Sequence, residues 1–260
     1  MTKIAKPLTF LALMMLSVHL YSLLAAELRP LLGLTSEPDY YIVNKGLFAI
    51  LLLGAVLGAG LHRQAGLVGQ VNWRTLPLYW PMALILGLIW LGSQNPPSAT
   101  DAAKILVFCL AVGISEELMF RGLVFHWFRQ LPARGVVLVS ACSFGAMHLA
   151  GLATEIHPAV ILSQVYFAFA VGLIFANARA RDFSILLPIA VHAGFDFLAV
   201  SAKGSVSQTF ENVEQMVTGM LIAGTIALVW GLFLLWRLIE MREPTERCTA
   251  QADQLRQVSL

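Results

Sequence analysis

Charge is scarce in this sequence: Asp, Glu, Lys and Arg make up 12% of its 260 residues, while hydrophobic residues make up 58%. A soluble domain carries about 25% charged residues, so this chain cannot clothe a water-facing surface. A strong excess of either sign is also missing. The net charge of +2 and the lack of a clustered basic stripe exclude nucleic acid as a partner. Cysteine is rare as well, because Cys109, Cys142 and Cys248 are an odd number without CxxC spacing. Neither a disulfide framework nor a zinc-thiolate site is expected. The HExxH, GxSxG and GxGD motifs are absent, which sets aside three common hydrolytic chemistries. No internal repeat is evident, which excludes a solenoid.

What the chain has in abundance is long apolar runs. They fall near 8–26, 42–61, 76–92, 103–128, 135–150, 158–178, 184–201 and 214–236, each long enough for a helix to cross or nearly cross a bilayer. The fold class expected is an all-α membrane protein, a polytopic bundle of about eight transmembrane helices. Four segments are expected: three N-terminal spans over 1–100, a polar-bearing core over 101–202, a last span over 203–240 and a polar tail over 241–260. Loops are short, and Gln94-Asn95-Pro96-Pro97-Ser98 holds paired prolines that cannot continue a helix. The first run follows Lys3 and Lys6 but exceeds a secretory signal's apolar core of about 7–15 residues. It reads as an uncleaved span.

Cytoplasmic loops hold the excess of Lys and Arg, and an eight-span path divides these residues unequally. Lys3, Lys6, Arg63, Arg74, Arg129, Arg134, Arg179, Arg181, Arg237, Arg242, Arg247 and Arg256 fall on one side. Arg29, Lys45, Lys104 and Lys203 fall on the other, with most of the loop acids. A cell (plasma) membrane location with both termini cytoplasmic is therefore expected. The tail from Met241 reads as a solvated end. Its last residues, Gln257-Val258-Ser259-Leu260, lack a prenylation cysteine.

Ionisable residues inside spans cost roughly 2.5–3.5 kcal/mol each and are functional candidates by default. Here they are few. The fourth span holds Ser115-Glu116-Glu117-Leu118-Met119-Phe120-Arg121, the fifth Phe144-Gly145-Ala146-Met147-His148, and the seventh His192-Ala193-Gly194-Phe195-Asp196. Counting about 1.5 Å per residue from the basic loop side puts Glu116, His148 and His192 at similar depths, roughly 15–21 Å in. One pocket between helices four, five and seven is expected. Glu117 and Arg121 have the spacing of a helical ion pair, whereas Glu116 points about 100° away and is free for another partner. A carboxylate beside an imidazole in a dry pocket is suited to deprotonating water. A second His with an acid four residues later can act on a developing oxyanion.

Glu116-Glu117-x-x-x-Arg121, with Phe120-Arg121-Gly122, then Phe144-x-x-x-His148 and His192-x-x-x-Asp196, resemble in order and spacing the three motifs of the CPBP family. That family includes CAAX prenyl endopeptidases, bacteriocin-processing proteins and bacterial Abi-type proteins, and the resemblance covers about residues 101–200. It implies an intramembrane protease in a helical bundle with a conical cavity. Glu116 and His148 would position the nucleophilic water, His192 and Asp196 would take the oxyanion side, and Glu117, Arg121 and Phe144 would support them. Members of the family have been described both as metalloproteases and as glutamic proteases. The metal-free description is preferred; a divalent metal such as zinc would instead be held by Glu116, His148 and His192. The third motif often ends in Asn, and an ionised Asp196 can only accept hydrogen bonds. The implied partners are membrane lipid and a peptide or protein substrate, lipidated or not.

Each feature also has an ordinary reading. The Glu117 and Arg121 pair could be a packing clamp, and His148 a hydrogen-bonded packing residue. His19, His62, His126 and His157 lie near span ends or outside the motif layer. Gly54 and Gly58 read as a small-residue step for close helix approach, and Trp73, Tyr79 and Trp80 as interfacial anchors. The competing classes are a proton- or ion-coupled transporter and a catalytically silent scaffold or immunity protein. Transport is disfavoured by the absence of matching broken helices in two halves. A cysteine enzyme acting through Cys109 or Cys142 would need a base that neither has beside it in sequence.

Overall fold

The computed structural model describes residues 2–91, 96–153, 156–202 and 212–240, and among them every regular element is a helix. Helices α1 (Thr2–Leu28) and α2 (Glu37–Gly58) come first, followed by a 3-10 turn at Trp73–Tyr79 that runs into α3 (Trp80–Leu91). Helix α4 (Ala99–Glu117) continues through a π-helical turn, Leu118–Leu123, into the short α5 (Val124–Trp127). The chain then forms α6 (Ala133–Met147), a 3-10 turn at His148–Ala153, α7 (Pro158–Arg179), α8 (Leu186–Ser201) and α9 (Val213–Glu240). With α4 and α5 counted as one continuous rod, the described residues form eight helices. The polar tail expected over 241–260 lies outside the described residues.

Six helices are long and apolar enough to span a membrane by themselves. The other two are the rod from Ala99 to Trp127 and α8. The rod is apolar over much of its length, but it bears Asp101, Lys104, Glu116, Glu117 and Arg121. Helix α8 is only 16 residues long. The two helices least suited to lipid on their own are those that carry the carboxylates and His192. In α1 the pattern is opposite: Leu13, Leu16, Leu20 and Leu23 are all more than half exposed, a surface for acyl chains, since helical backbone groups are already satisfied internally.

Local signals set the helix starts. Ser98 caps α4 by accepting the Asp101 backbone N–H at 3.2 Å and donating its hydroxyl to the Asp101 carboxylate at 2.7 Å, which satisfies one of the free amides of the first turn. Pro158 stands at the start of α7, where its missing N–H costs nothing. Among inter-helix contacts, α7 packs on α6 and α9, and α4 packs on α2 and α8. Small residues decide how closely two of these pairs approach. A Cβ added to Gly113 would stand 3.2 Å from Ala193 and from the Ile189 carbonyl, and one on Gly172 would stand 3.2 Å from Ala141. The close step expected at Gly54 and Gly58 is not realised, because nothing lies within 4 Å of either position. Tyr79 also differs from expectation: Trp73 and Trp80 are exposed, but Tyr79 is buried with its ring edge-on to Phe175 at 4.9 Å.

Candidate active site

The approach of α4 to α8 at Gly113 and Ala193 brings Glu117, at the end of α4, to the imidazole of His192 on α8. His192 Nδ1 lies 2.8 Å from Glu117 Oε1, and Arg121 Nη1 donates to the same oxygen at 3.0 Å. Glu117 and Arg121 have no exposed surface. A buried charge is tolerated when it is paired and hydrogen-bonded, and Arg121 is further held by the Gly172 carbonyl at 3.4 Å and by the faces of Phe144 and Phe175 at 4.4 and 5.2 Å. The bare backbone at Gly172 serves two purposes here. It lets α7 approach α6, and it presents its carbonyl to the guanidinium.

The second nitrogen of His192 faces two other carboxylates. Glu116 Oε2 lies 3.8 Å from Nε2 and Asp196 Oδ2 lies 3.5 Å from it. Neither is a short hydrogen bond. Glu117 therefore fixes the ring through Nδ1, and Nε2 is aimed between Glu116 and Asp196. Phe175 packs against this ring at 5.5 Å.

His148 ends α6 and opens the 3-10 turn. Its Nδ1 lies 3.0 Å from the Phe144 carbonyl, one of the helix-terminal carbonyls that lack an intrahelical donor. A carbonyl only accepts, so Nδ1 carries the hydrogen and Nε2 of the neutral ring keeps its lone pair. Phe144 contacts both imidazoles, edge-on to His148 at 5.4 Å and to His192 at 6.0 Å. No hydrogen bond or ion pair among the described residues joins Glu116 to His148. The set named for a metal, Glu116, His148 and His192, is not assembled either. Among the described residues no group of three or more His, Cys, Asp or Glu could hold a metal ion, and His148 Nδ1 is taken up by the carbonyl at its own helix end.

The π-helical turn directly after Glu117 explains two further residues that sequence reasoning passed over. There the ladder stretches, with Val124 N–H reaching back to the Met119 carbonyl, and backbone carbonyls are left for outside donors. Ser140 donates to the Phe120 carbonyl at 2.8 Å and Arg179 Nε to the Arg121 carbonyl at 3.0 Å. Arg179 is thus not the solvated loop cation that charge counting suggests; it is 7% exposed. Tyr79, Gly172 and Phe175 were likewise not singled out for the site. The one available signal was that Gly172 and Arg179 share a helix seven residues apart, and nothing in that spacing names their partners.

Residues 96–198 match the family model described as type II CAAX prenyl endopeptidase Rce1-like. No curated protein and no solved structure matches the chain. The matched segment contains Glu116, Glu117, Arg121, His148, His192 and Asp196, the side chains of all three motifs. Residues 96–198 of this multi-pass helical protein thus form a domain similar to the Rce1-like type II CAAX prenyl endopeptidases.

Proposed function

We propose that the protein is an intramembrane endopeptidase that hydrolyses a peptide bond of a membrane-associated substrate, lipidated or not, with water activated by Glu116. The observation that carries this reading is the gap of 3.8 Å between Glu116 Oε2 and His192 Nε2. It is too long for a direct hydrogen bond, and a reacting oxygen set to one side of the line joining the two atoms can contact both. Glu116 takes a proton from water as the water oxygen bonds to the scissile carbonyl carbon. The carbonyl π electrons move to oxygen, and the oxyanion is met by the Nε2–H of the protonated His192 ring. Collapse of the tetrahedral species breaks the C–N bond as the proton on Glu116 passes to the leaving amine.

The remaining groups support that step. Glu117 holds His192 through Nδ1, and Arg121 holds Glu117 in turn. His148 Nε2 accepts a hydrogen bond from the attacking water, its ring fixed by the Phe144 carbonyl. Asp196, at 3.5 Å from Nε2, shares the His192 proton when ionised and donates to the oxyanion when protonated. The basic loop residues Arg63, Arg74, Arg129 and Arg134 support a cytoplasmic side at that end of the bundle, with the plasma membrane as the location.

The test is cleavage by purified, reconstituted protein of a prenylated peptide and of its unprenylated counterpart. Glu116→Gln is expected to lower turnover by about 10²–10⁴-fold with the helical circular dichroism unchanged. Equal cleavage by Glu116→Gln and wild type would refute the assignment. Proton or ion flux that persists in the variant would replace it with transport.

A further inference from the structure

A second set of cations lies away from the carboxylates, at the end of the bundle where α2, α5 and α7 finish and α6 begins. There a cavity of about 740 Å³ is lined by Arg63, His126, Arg129 and Arg179 together with Phe125 and Phe183, a volume within the range of small-molecule sites. No Asp or Glu is among its lining residues. None of the motif side chains lines it.

Arg179 is the informative member. Its Nε donates to the Arg121 carbonyl at 3.0 Å and its Nη1 to the Asp182 carbonyl at 2.8 Å, both neutral acceptors. The Asp182 side chain is turned elsewhere, accepting the backbone N–H groups of Ser184 and Asn72, each at 3.0 Å. The guanidinium lies over the rings of Phe125 and Phe183 at 5.3 and 5.2 Å. This buried charge is therefore bonded to no carboxylate among the described residues, with the Asp182 carboxylate acting on it only through space, and Arg63 and Arg129 add two more positive charges at the same cavity. Burying a guanidinium is costly unless an opposite charge meets it.

We propose that this cavity binds the phosphate of an anionic phospholipid headgroup. Basic pockets between spanning helices near the membrane surface take such headgroups, and guanidinium forks match phosphate oxygens in paired hydrogen bonds. A lipid is favoured over free phosphate because Phe125, Leu131, Val136 and Phe183 provide apolar lining for the glycerol and the first acyl methylenes. The site also communicates with the active-site helix. Arg179 holds the Arg121 carbonyl in the π-helical turn, so a phosphate that fixes Arg179 also fixes the turn that carries the partner of Glu117.

Purified full-length protein in neutral detergent is titrated with phosphatidylglycerol, phosphatidylcholine or inorganic phosphate, and bound lipid is counted by native mass spectrometry alongside thermal unfolding. Phosphatidylglycerol is expected to remain bound and to raise the unfolding midpoint. The Arg63→Gln/Arg129→Gln variant, altered at two exposed positions, is expected to fold and to hold phosphatidylglycerol about tenfold more weakly. Equal retention of phosphatidylcholine, or unchanged phosphatidylglycerol binding in the variant, would overturn the proposal. An equal upward shift with inorganic phosphate alone would overturn the lipid as the source of the anion.

Discussion

Arg121→Met removes the one permanent cation bonded to Glu117 while roughly keeping side-chain length. Both residues are fully buried, and the bond between them is 3.0 Å, so removing one partner leaves an uncompensated charge at a cost of about 3–5 kcal/mol. His192 still contacts Glu117 at 2.8 Å, which places Arg121→Met near the lower end of that range. Glu117→Gln strips the counter-charge from Arg121 and His192 together and belongs near the upper end. The two costs have a common origin, so the double variant Glu117→Gln/Arg121→Met is expected to lose no more than the worse single variant, a coupling of about 3 kcal/mol. Arg121→Lys keeps the charge but loses the planar stacking over Phe144 and Phe175, at about 1–2 kcal/mol. The assay is equilibrium unfolding in mixed micelles with rising dodecyl sulfate, followed by the fluorescence of the six tryptophans. Additive losses in the double variant, or a loss below about 1 kcal/mol for Arg121→Met, would show that the pair is not a buried charge pair.

Gly113→Val should separate α4 from α8, since even a Cβ at that position meets Ala193 at 3.2 Å. The expected cost is about 1–3 kcal/mol, read as a lower unfolding midpoint, and cleavage should fall with it; an unchanged midpoint would contradict the packing. Membrane sidedness can be read by cysteine labelling in a background in which Cys109, Cys142 and Cys248 are replaced by alanine. Arg74→Cys is expected to react from the cytoplasmic side and Lys104→Cys from the opposite side. Labelling of both from one side would reject the charge-based topology.

The short motifs placed the ionisable side chains on three particular helices because burying charge in lipid is costly, and a sequence that retains so few charges marks them. Reading further was limited by direction and distance. Spacing along α4 allowed Glu117 to pair with Arg121, but it could not tell that the same oxygen also meets His192, a partner 75 residues away. Counting depth brought Glu116, His148 and His192 to one level, yet it carried no information about the Phe144 ring that contacts both imidazoles. The π-helical turn was invisible because its side chains keep the apolar pattern of an ordinary helix. Its support comes from Ser140 and Arg179, on other helices.

By itself the sequence determined that this is a membrane helix bundle with eight apolar runs and that three polar motifs carry ionisable groups within them. Both follow from the local demand that a segment in hydrocarbon satisfy its own backbone and carry little charge. Only the tertiary structure decided which carboxylate braces His192 through Nδ1, which one lies across a gap from its Nε2, and that Arg179 is buried at a basic cavity. Those outcomes depend on how closely helices approach at Gly113 and Gly172, a property of surfaces meeting across the bundle.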